Sequence, residues 1–249
     1  MHAALRPRRA ALTAVLCTAL ALGTTACARF SAEPESDGPF GKLTGAQIVN
    51  EAFMATKNAK SLTVDVDLRS PEEPVKGYLS LDGRGKCAGT LTMGTNDTAE
   101  LVKVDDRNVY LRFDEAFLRE QVKDESPEVQ EATVKQLKGR WVKSPVSDPD
   151  SKDMLALCDL KGLLGEFEPG ASDIVKGAET TVGGQQALTL TESDGDGEST
   201  TVHVATEGTP YILKIVTKGG EEPGTITFSH YGKPVVAEAP AAKDVVETD

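Results

Sequence analysis

Alternation of apolar and polar residues with a period of two constrains the fold of this 249-residue chain more than any other feature. In residues 62–69, leucine and valine alternate with threonine, aspartate and arginine, which is typical of a strand with one dry face. Further short runs follow in two groups, and the short turns between most of them favour antiparallel neighbours. The predicted strands are Gly77 to Leu81, Cys87 to Met93, Ala99 to Val104, Val109 to Phe113, Thr180 to Val182, Gln186 to Thr191, Thr200 to Ala205, Tyr211 to Thr217 and Thr225 to Tyr231.

Two parts of the chain have helical character instead. Thr44 and Gln47 have the spacing of a capping box, and apolar residues then recur on one face, so a first helix is predicted there. Between residues 114 and 167 the sequence is polar with apolar residues at helical spacing, and three prolines divide it into short helices. The tail after Pro234 has the composition of a loop.

This order of elements predicts an α+β fold: one helix, about five strands, a helical insertion over about 114–167, and about five more strands. A sheet of about ten antiparallel strands twists and curls, because adjacent strands are rotated relative to each other. Its apolar concave face needs a cover, and the first helix and the insertion are available for it. We therefore predict one domain, residues 42–249, with helices over the concave face of a strongly curved antiparallel sheet.

The N-terminus has the three zones of a secretory signal: a basic stretch, an apolar run from Ala10 to Gly23, and small residues before Cys27. The apolar run is shorter than the roughly 20 residues that a transmembrane helix needs. A cysteine directly after a small residue fits a bacterial lipobox, although Thr24 stands where leucine is usual. We predict a signal peptide over residues 1–26 and a Cys27 that carries diacylglyceryl on sulfur and a fatty acid such as palmitate on nitrogen. Ordinary signal cleavage is the alternative.

The charge of the chain excludes several kinds of partner. Its net charge is −12 at pH 7, and removal of residues 1–26, which contain three arginines and no acid, makes it −15. Such a surface repels phosphate backbones, so we expect neither a nucleic-acid partner nor membrane binding through a basic patch. Acyl chains on Cys27 would anchor the protein, since each buried methylene contributes about 0.8 kcal/mol. The expected location is the outer face of the cell membrane, with residues 27–41 as a flexible, lipidated tether.

Four cysteines are present, and two of them are predicted to pair. Cys17 leaves with the signal peptide and Cys27 is used for lipid, so Cys87 and Cys158 remain in an oxidising compartment, where a disulfide is their simplest state. Closing a loop with a separation of 71 residues stabilises by about 4 kcal/mol on the chain-entropy model. Two buried thiols are the alternative.

The sequence contains no constellation of residues that supports catalysis. The two histidines after the signal peptide, His203 and His230, are better explained as strand surface residues than as bases. The run from Asp194 to Glu198 resembles the start of a calcium loop, but its sixth and twelfth positions are wrong, and a hairpin turn is the better interpretation. Trp141, the only tryptophan, is predicted to anchor the helical cover on the core. We predict no enzymatic activity, no cofactor and no metal.

Several short motifs are spread along the chain: Gly85-Lys86-Cys87-Ala88-Gly89-Thr90, Ala99-Glu100-Leu101-Val102, Val109-Tyr110, Asp114-Glu115-Ala116-Phe117, Trp141-Val142-Lys143, Gly183-Gly184-Gln185-Gln186-Ala187 and Gly208-Thr209-Pro210-Tyr211. With the lipobox, tether, first helix and alternating strand, they resemble the LprG/LppX family of actinobacterial lipoproteins over essentially the whole mature domain. The resemblance implies a half-barrel sheet with helices over its concave face, akin to the carriers LolA and LolB. It also implies an apolar cavity that holds lipids or lipoglycans during transfer across the cell envelope.

The predicted function is therefore that of a membrane-anchored carrier or chaperone for lipid or lipoglycan in the cell envelope. The best candidates for the lining of an acyl-chain cavity lie on the apolar sides of the strands: Val64, Val66, Leu68, Leu91, Leu101 and Leu111. A fully packed core would produce the same pattern. The alternative is a cavity-free envelope lipoprotein that acts as an interaction or scaffold module, or that senses a protein partner through its cover.

Overall fold

The computed structural model describes residues 40–71, 74–95, 97–165, 173–193, 197–220 and 222–247. All of them belong to one unit, residues 36–249. The predicted signal peptide, Cys27 and nearly all of the predicted tether lie outside the described residues.

The described residues contain twelve strands and five α-helices, which confirms the α+β class. The strands are β1 (Ser61–Leu68), β2 (Val75–Asp82), β3 (Cys87–Met93), β4 (Asp97–Lys103), β5 (Asn108–Phe113), β6 (Trp141–Pro145), β7 (Val175–Val182), β8 (Gln185–Ser193), β9 (Ser199–Ala205), β10 (Ile212–Lys218), β11 (Gly224–Ser229) and β12 (Val245–Glu247). The helices are α1 (Gly45–Lys57), α2 (Glu115–Gln121), α3 (Pro127–Leu137), α4 (Pro149–Ala156) and α5 (Leu160–Gly165), and a short 3-10 helix (Ala242–Asp244) precedes β12.

All twelve described strands form one curved, unclosed sheet, which confirms the predicted half-barrel. Their order is β12-β6-β5-β4-β3-β2-β1-β11-β10-β9-β8-β7. The β1–β11 pair joins the two groups of strands, and across it Val64 lies opposite Phe228 and Val66 opposite Ile226. The pairs between these strands are antiparallel, except that β12 runs parallel to β6.

Two glycines let neighbouring strands of the sheet approach closely. Gly89 in β3 pairs with Leu79 in β2, and a Cβ atom at Gly89 would lie only 2.0 Å from the Tyr78 carbonyl oxygen. A Cβ atom at Gly224, the first residue of β11, would lie 2.6 Å from the Asp67 carbonyl oxygen in β1. Any side chain at these positions would collide with the backbone of the next strand, so the close approach requires glycine.

Helix α1 begins as the sequence predicts. The Thr44 hydroxyl accepts a hydrogen bond from the Gln47 N–H at 3.2 Å, and the Gln47 side-chain oxygen accepts one from the Thr44 N–H at 2.8 Å. This capping box supplies acceptors for two amide groups at the start of the helix. The buried face of α1, which includes Ile48 and Phe53, packs on the apolar face of the sheet.

Three elements differ from the sequence prediction. A strand, β6, lies inside the segment 114–167 that was predicted to be a helical insertion, and Trp141 is its first residue rather than an anchor of the cover. Strand β7 begins at Val175 rather than at the predicted Thr180. The sequence did not reveal its first half, because most of its residues are exposed on both faces and show no alternation of apolar and polar side chains. The tail after Pro234 was predicted to be loop, but it ends in β12, which pairs with β6.

Candidate functional site

The concave face of the sheet is the candidate functional site, because it carries a continuous apolar cluster beneath the helices. Five of the six predicted lining residues lie in this cluster with exposed fractions of at most 3%: Val64, Val66, Leu91, Leu101 and Leu111. The sixth, Leu68, is half-buried and packs against the cluster. The structure therefore brings the six side chains into one apolar layer, and a role for them in ligand binding stays a prediction.

The register of the strands explains this common face. Leu101 in β4 lies opposite Leu111 in β5, and Val64 in β1 lies opposite Leu79 in β2. Residues that lie opposite each other in antiparallel strands point to the same side of the sheet. Rows of apolar side chains therefore cross the sheet from strand to strand and form one continuous surface.

The second group of strands also contributes to this surface, and the sequence prediction omitted it. The buried cluster residues of this group include Val202, Val204, Ile212, Ile215, Ile226 and Phe228. Alternation within β9 and β11 was a signal that could have identified four of them. Their position beside the first group depends on the β1–β11 pairing, which neither strand reveals alone.

Helices α1, α4 and α5 cover the concave face. Their buried cluster residues are Ile48, Val49, Ala52 and Phe53 of α1, Met154 of α4, and Leu163 and Leu164 of α5. We call residues 149–165, which comprise α4, α5 and the turn between them, the lid. Gly77 in β2 lies directly beneath the lid: a Cβ atom there would lie 2.9 Å from the Leu91 side chain and 3.6 Å from the Leu157 side chain of the lid, so the lid and the sheet are closely packed at this point.

A disulfide fastens the lid to the sheet. Cys87, the first residue of β3, is bonded to Cys158 in the turn between α4 and α5. This is the pair that the cysteine count predicts. The lid is therefore tied covalently to the strand that also carries Leu91, one of the predicted lining residues.

A pocket of about 320 Å³ lies at the end of the core, next to this disulfide. Its apolar lining consists of Ala59, Leu81, Cys158 and Leu160, of which Ala59 and Leu81 belong to the buried cluster. Its charged lining consists of Lys57, Lys103, Lys161, Asp82 and Asp159. The pocket thus places charged groups directly beside the apolar layer.

A larger hollow of about 890 Å³ at α2 and α3 has a different character. Four of its charged side chains are paired with one another: the Lys138 ammonium lies 2.6 Å from the Glu115 carboxylate, and the Arg119 guanidinium lies 3.1 Å from the Glu131 carboxylate. Hydrogen bonds from Lys138 and Arg119 lower the pKa of Glu115. None of the described residues that line this hollow belongs to the buried cluster of the concave face, so the pocket beside the disulfide is the better candidate for a ligand with an apolar part.

A buried hydrogen-bond network ties α1 to β10 at the edge of the concave face. The Thr56 hydroxyl, at the end of α1, accepts a hydrogen bond from the Ile212 N–H at 3.0 Å, and the Tyr231 hydroxyl donates to the Ile212 carbonyl oxygen. Burial raises the pKa of Tyr231, whose ring stacks on Tyr211 with 4.0 Å between centroids. Both backbone groups of Ile212 are satisfied in this way, which indicates a structural role for the network.

His203 and Trp141, considered from the sequence as a possible base and as an anchor of the cover, do not point to the concave face. His203 in β9 alternates with two buried valines, so it points away from the concave face; burial, with a smaller contribution from Lys214, lowers its pKa. Trp141 alternates with a buried valine in β6, and the Arg112 guanidinium lies 4.7 Å from the centre of its ring. Arg112 also forms an ion pair of 2.6 Å with Glu100. Trp141 therefore belongs to a polar surface network.

Neither a metal site nor a membrane-spanning helix occurs in the described ranges. There, no three side chains of His, Cys, Asp or Glu are grouped so that they could hold a metal ion. None of the helices in these ranges is long and apolar enough to cross a membrane. Strands β8 and β9 pair as a hairpin around the acidic run at 194–198, of which residues 194–196 lie outside the described residues.

No protein-family model matches the sequence, and no curated protein matches it either. Solved structures do match the fold. The lipoprotein LppX of Mycobacterium tuberculosis is similar with a TM-score of 0.51 and 13% identity, over 78% of this chain and 98% of LppX. The chain has an LppX-like lipoprotein fold. LprF of Mycobacterium bovis is similar to it with a TM-score of 0.53 and 16% identity, over 80% of this chain and 97% of LprF.

The LppX-like fold extends over nearly the whole length of both relatives. At this level of identity, the similarity establishes the fold and leaves the ligand to be determined from the site itself.

Proposed function

We propose that the protein is an exported lipoprotein that carries or chaperones lipid or lipoglycan in the cell envelope. Acyl chains would bind between the concave face of the sheet and its helical cover. The single observation that supports this most is the construction of the apolar layer, in which a curved sheet forms one side and separate short helices form the other. The LppX-like fold and the family resemblance agree with it.

The lid is suited to exchange its contacts with the sheet for contacts with acyl chains. Its helices have only 8 and 6 residues, and helices this short are stable only where an apolar face is packed against something. Met154, Leu163 and Leu164 occupy the apolar layer in the form described here. We infer that acyl chains replace some of these side chains on the sheet when lipid binds, while the disulfide keeps the lid attached.

The proposed location is the outer face of the cell membrane. The signal peptide, a lipidated Cys27 and the tether of residues 27–41 would hold the acidic domain there. The protein would then contact the membrane through the acyl chains on Cys27, and it would bind its lipid or lipoglycan ligand separately in the folded domain.

Extraction of the purified mature protein, followed by mass spectrometry of the extract, tests the proposal. We expect about one lipid or lipoglycan molecule for each protein molecule, and re-uptake of lipid after delipidation. An envelope lipoprotein of another fold, purified in the same way, controls for lipid that adheres to the anchor. A protein that is empty after purification and takes up no lipid would contradict the carrier function.

A cavity-free scaffold is the second candidate, and the packing of the core favours it. Five of the six predicted lining residues are at most 3% exposed beneath the helices, as they would be in a core that never opens. Such a protein would present its cover to a partner in the envelope. Consistently empty protein is the result that this function predicts.

A further inference from the structure

We infer that the pocket beside the disulfide binds the anionic headgroup of the carried lipid, with a phosphate or carboxylate as the recognised group. This inference rests on the proposed function and specifies the class of lipid. Uncharged lipids with the same acyl chains would then be poorer ligands.

The first support is the convergence of three lysines from different parts of the fold. Lys57 is the last residue of α1, Lys103 is the last residue of β4, and Lys161 lies in α5 of the lid. The chain as a whole has a net charge of −12, so a group of cations around one pocket runs against the charge of the surface. Opposite charge attracts an anionic ligand and orients it in the pocket.

The two carboxylates of the pocket are engaged by the backbone of their own turns. One Asp82 oxygen accepts hydrogen bonds from the Arg84 and Lys86 N–H groups, both at 2.9 Å. One Asp159 oxygen accepts the Lys161 N–H at 3.0 Å. The Asp159 bond shapes the turn that leads into Lys161. The lining has one more positive than negative side chain before Asp106, the exposed partner of Lys103, is counted.

Lys103 provides a positioned donor on the sheet side of the pocket. Its side chain is only 13% exposed, and its ammonium donates to the Gly85 carbonyl oxygen at 2.8 Å and to Asp106 at 2.6 Å. An ammonium has three donors, so these two bonds among the described residues leave one for an oxygen of the ligand. Asp106 is 81% exposed, so water competes for its carboxylate and weakens the pair.

The apolar side of the pocket connects headgroup and chains. Leu81 lines the pocket and also belongs to the buried cluster of the concave face. A volume of about 320 Å³ lies at the lower end of the range for small-molecule sites, so it suits a headgroup, while acyl chains need the concave face. Cys158 and Lys161 are lid residues, so the lid would contact both parts of one amphiphilic ligand.

Binding of two lipids that share their acyl chains tests the inference. The mature protein is titrated with dipalmitoyl phosphatidic acid, with dipalmitoylglycerol, which lacks the phosphate, and with inorganic phosphate. We expect the wild type to bind the phosphatidic acid about tenfold more tightly than the diacylglycerol, as one good charged hydrogen bond provides. Lys103→Gln and Lys161→Gln should each remove most of that difference, measured as the ratio of the two lipid affinities within the same variant.

Lys218→Gln is the matched control, because Lys218 is an exposed lysine at the end of β10 and does not line the pocket. Lys103→Gln also removes two hydrogen bonds of the fold, so Lys161→Gln, at an exposed position, carries the test if the first variant does not fold.

Equal binding of both lipids, unchanged in the lysine variants, would overturn the inference and leave the carrier function intact. Free phosphate that binds as tightly as the phosphatidic acid would also overturn it, and failure of both lipids to bind would contradict the carrier function itself.

Discussion

Thr56 illustrates what single residues contribute to the fold beyond the apolar pattern. Its hydroxyl is fully buried at the end of α1 and accepts the Ile212 N–H, 156 positions away in the chain. The period-two pattern predicted that Val64 and Leu101 would be buried, since burial of alternate residues is a local property of a strand. No local pattern identifies a hydrogen bond between residues so far apart, and the Thr56 network was therefore not predictable from the sequence.

Replacement of Thr56 by valine should destabilise the protein by about 1 to 3 kcal/mol, because valine has the same shape but leaves the buried Ile212 N–H without an acceptor. Urea denaturation of both proteins measures the difference. Thr181→Val, at an exposed position of β7, is the control and should change the free energy of unfolding by no more than about 0.5 kcal/mol. Equal stabilities of the Thr56 variant and the wild type would show that water satisfies the amide.

His203 should make the stability of the fold depend on pH. Burial lowers the pKa of His203, so the unfolded chain binds this proton more tightly than the folded protein does. The resulting stabilisation is complete above the unfolded pKa of about 6.5 and is lost as the pH falls towards the folded pKa. We expect the free energy of unfolding of wild type minus His203→Gln to decrease between pH 7 and pH 5. A difference that stays constant over this range would contradict the expectation.

At the level of elements, local signals explain which helices and strands were predictable. The capping box at Thr44 predicted the start of α1, and alternation predicted β1. Strand β6 escaped prediction because it has five residues, lies between helices and ends at Pro145. Strand β12 has three residues and exists only because β6 offers its backbone as a partner, which is a tertiary contact.

The disulfide between the lid and the sheet is the element-scale contact whose removal is easiest to test. We expect replacement of both Cys87 and Cys158 by alanine to lower the free energy of unfolding by about 2 to 5 kcal/mol, because the bond closes a loop with a separation of 71 residues in the unfolded chain. Chemical denaturation of the exported protein measures this. Quantitative labelling of both thiols in wild-type protein, unfolded without reductant, would show that the bond is absent.

On the scale of the whole molecule, the pairing of β1 with β11 determines what the candidate site can be. It places the two groups of strands side by side, so that residues such as Val66 and Ile226 share one apolar surface. The order of the elements predicted a sheet with helical cover, but it left open whether the layers enclose a cavity. The structure shows a packed layer with a pocket at its end, and packing of this kind depends on the fit of side chains from remote segments.

The connection of the molecule to the membrane depends on Cys27 in our proposal. We expect Cys27→Ser protein, exported with its signal, to appear in the soluble fraction, because a domain of net negative charge has no electrostatic attraction to anionic headgroups. Fractionation followed by a high-salt wash measures this, and the wild type should stay with the membrane. A serine variant that resists the wash would contradict the lipid anchor.

A tryptophan on the concave face separates the carrier from the scaffold. Leu101 is fully buried beneath the helical cover, so Leu101→Trp should cost about 1 to 3 kcal/mol by overpacking in either case. Only a carrier is also stabilised by lipid, since a ligand that binds the folded state alone raises the melting temperature. We expect lipid to raise the melting temperature of the wild type and to have no effect on Leu101→Trp, because the indole occupies the space of the acyl chain.

Val102→Trp is the control for this experiment, because Val102 follows Leu101 in β4 and points to the opposite face of the sheet, where it is partly exposed. It adds the same indole outside the proposed site, so its melting temperature should rise with lipid as that of the wild type does. A wild type whose melting temperature is unchanged by saturating lipid would instead mean that Leu101 belongs to a core that stays closed. Uptake of a fluorescent lipid should agree with the melting temperatures: the wild type and Val102→Trp should take up the lipid and Leu101→Trp should not, because lipid stabilises only a protein that binds it.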